Sequence, residues 1–295
     1  MKRIKAYIPN VLLTFLLVFA LLGAELLAFV QAAVLNPAVF RRITKQEQLG
    51  EVTYEVLEQT FSARSHSTGI PADVVMHSLA PQLLEESIDL QTEALFADLR
   101  GTQSAGAQPD FSLMQHSLRK FLEDYADENG YEKDAAFEEK AAALTEECTR
   151  IVEGATDPFR FGTLRRNGWL DTGRKYLSYL RPAMIGCIVA AVLLMALLLL
   201  CNRSQKALLA YWYGLAAMIC GLLLLLPCGY LKATDYFAAF ALKEPQTYTA
   251  VVGLLRLLTD RALLLGVLTA VTGAVLLIVS GILNTRSSRK EAAAP

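Results

Sequence analysis

Alternation of apolar and polar residues, the mark of a half-buried strand, is missing over any useful length of this chain. Sheet-based folds are therefore not expected. Cysteine is sparse: there are five in 295 residues, with no CxxC and no Cys/His spacing of the zinc-binding kind. Cys187, Cys201, Cys220 and Cys228 fall in or at the ends of apolar runs, and Cys148 stands alone in the polar part. No disulfide framework follows from that distribution, and the thiols read as small buried hydrophobes. The three histidines, His66, His77 and His116, lie in separate segments, none four residues from another, so no metal site is expected. A phosphate-cradling GxxxxGK loop, a GxSxG elbow, an HExxH helix and a glycine-rich strand-to-helix turn are all missing. Basic residues form no stripe interleaved with aromatics, which excludes a nucleic-acid surface. We expect no cofactor and no nucleic-acid partner, and binding rather than catalysis. A membrane enzyme acting on lipid or wall substrates through Glu25 or an outer carboxylate is the weakest alternative.

Hydrocarbon is what the chain has in excess. Hydrophobic residues make up 54% of it, concentrated in runs at 7–35, 183–201, 207–230 and 262–283. Each run can cross a hydrocarbon core of ~30 Å at ~1.5 Å per helical residue. The first begins with the basic MKRIK and passes Val30-Gln31-Ala32, which resembles a signal-peptide cleavage site. Its apolar stretch exceeds the ~7–15 residues of a signal core, so an uncleaved anchor is the expectation. Lys2, Arg3 and Lys5, then Arg203 and Lys206, then Arg286, Arg289 and Lys290 all fall on one side of a four-span chain. Positive residues in short segments stay inside, which places both termini and the 202–206 turn in the cytoplasm. Arg41, Arg42, Arg174, Lys175 and Arg181 flank the long polar segment, and long domains translocate largely regardless of charge.

That polar segment, 36–181, carries 24 Asp and Glu against 16 Lys and Arg. Pro37 should end or bend the first helix. Apolar residues then recur at helical spacing over 45–63, from Pro71, over 81–99, from Asp110 and over 133–152. Gly69, Gly101 and Asn129-Gly130 punctuate them. Amphipathic helices joined by short turns bury their stripes against one another, so a helical bundle is expected. The small-residue loop RGTQSAGAQPD is the expected mobile segment. Phe159, Phe161 and Trp169, in an irregular stretch, suit a bilayer surface. Residues 246–258 read as an interfacial amphipathic helix turning at Thr259-Asp260 into the last span, where Gly266, Ala270 and Ala274 offer a small-residue contact face.

One residue breaks the hydrocarbon pattern. Glu25 sits in LLTFLLVFALLGAELLAFV, about ten residues or ~15 Å inside the outer end of the first span. Low dielectric disfavours a charged carboxyl, and an ionisable group at that depth marks a functional-site hypothesis. Three readings stand: a hydrogen bond gluing helices together, a tolerated charge, or a transport or signalling role. Arg256 and Arg261, entering from the outer side, are the candidate cationic partners.

Phe61 and the turn Thr68-Gly69-Ile70-Pro71, just beyond the first span, resemble a group of uncharacterised multi-pass membrane proteins of Gram-positive bacteria with an aromatic-led helix and a TGIP-type turn. That group supplies no activity to carry over. The spacing of spans is also similar to the MacB/FtsX class of permease-like proteins, whose outer domains contain strands where this one reads as helix. The sequence thus predicts an all-α plasma-membrane protein in four parts. Residues 1–36 hold the cytoplasmic start and first transmembrane helix, and 37–181 an extracellular helical bundle. Residues 182–284 hold three further transmembrane helices with an outer loop at 231–261, and 285–295 a cytoplasmic tail. The expected role is binding, as a sensor, scaffold or envelope-assembly component with a protein partner or a second copy. The alternative is a transporter or permease-like subunit.

Overall fold

The computed structural model describes residues 2–102, 109–203 and 205–292, with side chains for 7–102, 109–203 and 205–285. The centre of the expected mobile loop, 103–108, lies outside the described residues, as do the side chains of the terminal lysines and arginines that favour cytoplasmic ends. The regular structure of the described residues is all helix, without a strand. In chain order the α-helices are α1 (Lys2–Phe29), α2 (Pro37–Gln46), α3 (Leu49–Thr68), α4 (Ala72–Met76), α5 (Pro81–Arg100), α6 (Ser112–Glu128), α7 (Ala135–Ala155), α8 (Phe161–Arg166), α9 (Trp169–Cys201), α10 (Lys206–Ala233) and α11 (Pro245–Ala292). Among them, four stretches are long and apolar enough to cross a membrane: Tyr7–Val34, Trp169–Cys201, Lys206–Ala233 and Pro245–Thr285.

The chain divides into two compact units. The apolar unit comprises Met1–Leu35, Lys175–Ala239 and Arg256–Pro295, and the polar unit Asn36–Arg174 with Phe240–Leu255. In the apolar unit Leu17 and Val18 of α1 pack with Ala191 and Leu198 of α9 and with Trp212 and Ala216 of α10. Glycine sets the distance between α10 and α11. A Cβ on Gly221 would lie 2.3 Å from the Ala270 nitrogen, and one on Gly273 would lie 2.4 Å from the Met218 nitrogen. Backbone therefore touches backbone there, which is how helices associate where water supplies no driving force. The close contacts on α11 include Gly266 and Ala270, as expected, and Gly273. Outward, Phe15, Leu193, Leu226 and Ile278 are exposed. A continuous apolar exterior of that kind suits lipid and is not found on soluble monomers.

The polar unit closes its own core. Leu57, Phe61, Val75, Leu79, Leu84, Met114, Leu118 and Val152 are nearly inaccessible and belong to one cluster. Gly50 lets α3 cross α5 closely, since a Cβ there would stand 2.4 Å from the Pro81 carbonyl oxygen. Gly69 takes φ 72° as the C-cap of α3, a left-handed conformation that glycine adopts without cost. The thiol of Cys148, pushed up by burial and then by Glu147, is inert core.

Several expectations are corrected. The single helix expected over 45–63 is two, because Gln48 adopts a left-handed conformation at φ 49° between α2 and α3. Phe159 is not an interfacial residue: it is buried in an aromatic cluster with Phe40 and Phe161. The interfacial helix with a turn at Thr259-Asp260 does not form, because α11 is continuous from Pro245 to Ala292. Neither residue breaks a helix, and the Asp260 carboxylate accepts from Lys232 Nζ at 2.6 Å instead of capping a new one. The connection between the last two long helices thus shrinks to 234–244, with a 3₁₀ turn at Tyr236–Ala239.

Candidate functional site

Glu25 lies on α1 just ahead of a π-helical turn, Val30–Val34, that closes the helix before Asn36 caps α2. Its two carboxylate oxygens are both engaged. Oε1 accepts from Thr269 Oγ1 of α11 at 2.7 Å, and Oε2 accepts from Cys220 Sγ of α10 at 3.4 Å. One side chain therefore ties three helices of the apolar unit together through neutral donors. Of the three readings left open by the sequence, this geometry favours interhelix glue.

The two arginines proposed as its partners do otherwise. Arg256 Nη2 donates to both carboxylate oxygens of Asp235, at 2.9 and 3.0 Å. Together with the Lys232–Asp260 pair it fastens the far end of α10 to one face of α11. Arg261 makes no ion pair or hydrogen bond among the described residues, yet it shares a groove with Glu25. The groove has a volume of about 370 Å³ and is walled by Ala28, Phe29, Ala32 and Ala33 on one side and by Leu264, Leu265 and Leu268 on the other. Thr269 faces Glu25, and the two helices run antiparallel. Arg261, eight residues before Thr269, therefore lies level with Ala33, eight residues after Glu25, roughly 12 Å along the axis.

A second polar contact within the apolar unit was missed by sequence reasoning. The carboxamides of Asn10 and Asn202 exchange hydrogen bonds, 3.0 Å each way, at 2% and 4% exposure. Asn202 also donates to the Leu198 carbonyl at 2.9 Å. The available signal was a carboxamide inside the first apolar run, less conspicuous than a carboxylate. Ser280 Oγ, donating to the Ala207 carbonyl at 2.7 Å, adds a further cross-helix bond.

The polar unit carries no group of three or more metal-ligating side chains among its described residues. Asp157 accepts from the Phe161 and Gly162 amides at 2.7 Å each. Burial pushes its carboxyl up, and those two amides pull it back. It thereby satisfies the first amides of α8 from ahead of the N-cap, Arg160. Arg41, flanked by Asp89 and Glu93, bridges α2 to α5. Burial likewise pushes the Asp89 carboxyl up, against the opposing Arg41. The TGIP-type turn is packing: Phe61 and Ile70 are core, and the Ile70 amide donates to Thr68 Oγ1 at 3.3 Å. One feature of this unit starts at the core, where Phe121 packs, and runs out to solvent. Phe121, Tyr125 and Tyr131 form a ladder with ring centroids 6.3 Å apart at each step and planes within 28° and 22°. Both tyrosines are exposed, as is Leu113 on the same helix as Tyr125.

Comparison with protein-family models, with curated proteins and with solved structures gives no match. The functional reading therefore rests on these residues alone.

Proposed function

We propose that this chain is a multi-pass plasma-membrane protein that crosses the bilayer four times, keeps both termini in the cytoplasm and displays its polar unit outside. It acts by binding a protein partner or a second copy, as a sensor, scaffold or envelope-assembly component. The observation that carries this reading is the Phe121–Tyr125–Tyr131 ladder. Tyrosines held open to solvent offer large, rigid contact area at low entropic cost, and such residues dominate binding hot spots. The transport alternative has less support: the groove that Glu25 lines is apolar except for Glu25 and Arg261, and offers no polar path. The resemblance of Phe61 and residues 68–71 to multi-pass proteins of Gram-positive bacteria agrees with this setting.

A photoreactive phenylalanine analogue placed at Tyr125, and at exposed Ser62 of α3 as a control, tests the reading in living cells. The expected result is a discrete cross-linked adduct from position 125 and none from 62. Failure of position 125 to give a discrete adduct contradicts the assignment of the ladder as the binding surface.

A further inference from the structure

The groove between α1 and α11 is a poor resting place for what it contains. Arg261 is a permanent cation with five donors, and no carboxylate pairs with it among the described residues. Glu25 does not serve, because its carboxylate is held by Thr269 and Cys220 about two helical turns away. An unpaired guanidinium beside hydrocarbon is costly, and in a membrane such a group finds a counter-ion or marks a ligand. The walls between Arg261 and Glu25 are purely apolar: alanines on the α1 side leave space that the leucines of α11 do not fill. The α1 wall continues into the π-helical turn Val30–Val34, a distortion that is rare in structural helices and frequent at functional sites. A volume of about 370 Å³ falls within the range of small-ligand pockets.

We propose that this groove holds one anionic phospholipid, its phosphate on Arg261 and one acyl chain running along Ala28, Leu264 and Leu268 towards Glu25. Charge complementarity selects the headgroup, since a guanidinium matches a phosphate with two parallel hydrogen bonds. The phosphate diester alone does not distinguish anionic from zwitterionic lipids. Net charge does: the choline ammonium of a zwitterionic lipid offsets the attraction that a phosphatidylglycerol presents in full. The Glu25 carboxyl, fixed by two neutral donors, closes the deep end of the groove. This site is separate from the aromatic ladder and does not depend on which side of the membrane the polar unit occupies.

The test is lipid retention by the full-length protein in mild detergent, counted by native mass spectrometry during titration with palmitoyl-oleoyl phosphatidylglycerol or phosphatidylcholine. The native protein should retain one phosphatidylglycerol with a preference on the order of tenfold over phosphatidylcholine, as expected for one charge-assisted contact. Arg261→Gln should bring the two lipids to parity. Ala28→Phe, which fills the apolar part of the groove, should lower retention of both. Equal retention of the two lipids by the native protein overturns the proposal without recourse to any variant. So does a preference that survives Arg261→Gln, or retention that Ala28→Phe leaves unchanged.

Discussion

At the scale of single residues, the membrane-capable helices are joined by polar side chains that reach from one helix to the next. Glu25 is the clearest case, with a hydroxyl on one oxygen and a thiol on the other. Glutamine keeps an acceptor for Thr269, whereas leucine keeps none. Glu25→Gln should therefore leave the detergent melting temperature close to native, and Glu25→Leu should cost on the order of 1 kcal/mol, the usual scale of membrane hydrogen bonds. A Gln variant as unstable as the Leu variant would show that the charge itself is required. The carboxylate was legible in the sequence because hydrocarbon surrounds it. Its partners were not, because threonine and cysteine are ordinary in apolar helices and only the fold brings Thr269 and Cys220 to one point. Arguing from charge pointed instead to Arg256 and Arg261. Arg256 is taken by Asp235, a carboxylate at the short connection between α10 and α11 that sequence reasoning passed over. The Asn10–Asn202 pair escaped for a related reason: its members are 192 residues apart and each looks unremarkable alone.

Elements follow the same division between local and tertiary information. The long apolar helices and the amphipathic stripes of α5, α6 and α7 were legible because composition and 3.6-residue periodicity decide them. Gly69, Gly101 and Gly130 all adopt the left-handed conformation their positions after helices implied. Errors arose where a residue was given a boundary role that its surroundings do not require. Thr259-Asp260 resembles a helix start, yet nothing in it stops a helix, and α11 continues through it. By contrast, α9 carries Pro182 in its interior without ending, as membrane-spanning helices commonly do. The small-residue face was legible in Gly266 and Ala270, and Gly273 joins it against Met218. Gly221 provides the test. Any side chain there meets α11 backbone at 2.3 Å, whereas a Cβ on Gly281 meets nothing within 4 Å. Gly221→Leu should destabilise the detergent-solubilised protein by about 2 kcal/mol or more, and Gly281→Leu should leave it unchanged. Equal melting temperatures for the two variants would mean that α10 and α11 do not touch as described.

For the whole molecule, the division into a polar and an apolar unit was legible from composition, but their exact membership was not. Residues 240–255 belong with the polar unit, where Gly253 lies against Glu47 and Glu244 pairs with Arg160. No periodicity announces a contact between segments so distant in sequence. The proposed arrangement is four crossings, with the polar unit outside and the short turn between α9 and α10 inside. Single cysteines at Glu139 of α7 and Gln205 of that turn, both exposed, can be installed in a background whose five native cysteines are replaced. An impermeant maleimide applied to intact cells should label position 139 and leave position 205 untouched until the membrane is opened. Labelling of 205 with protection of 139, or labelling of both in intact cells, would contradict the arrangement.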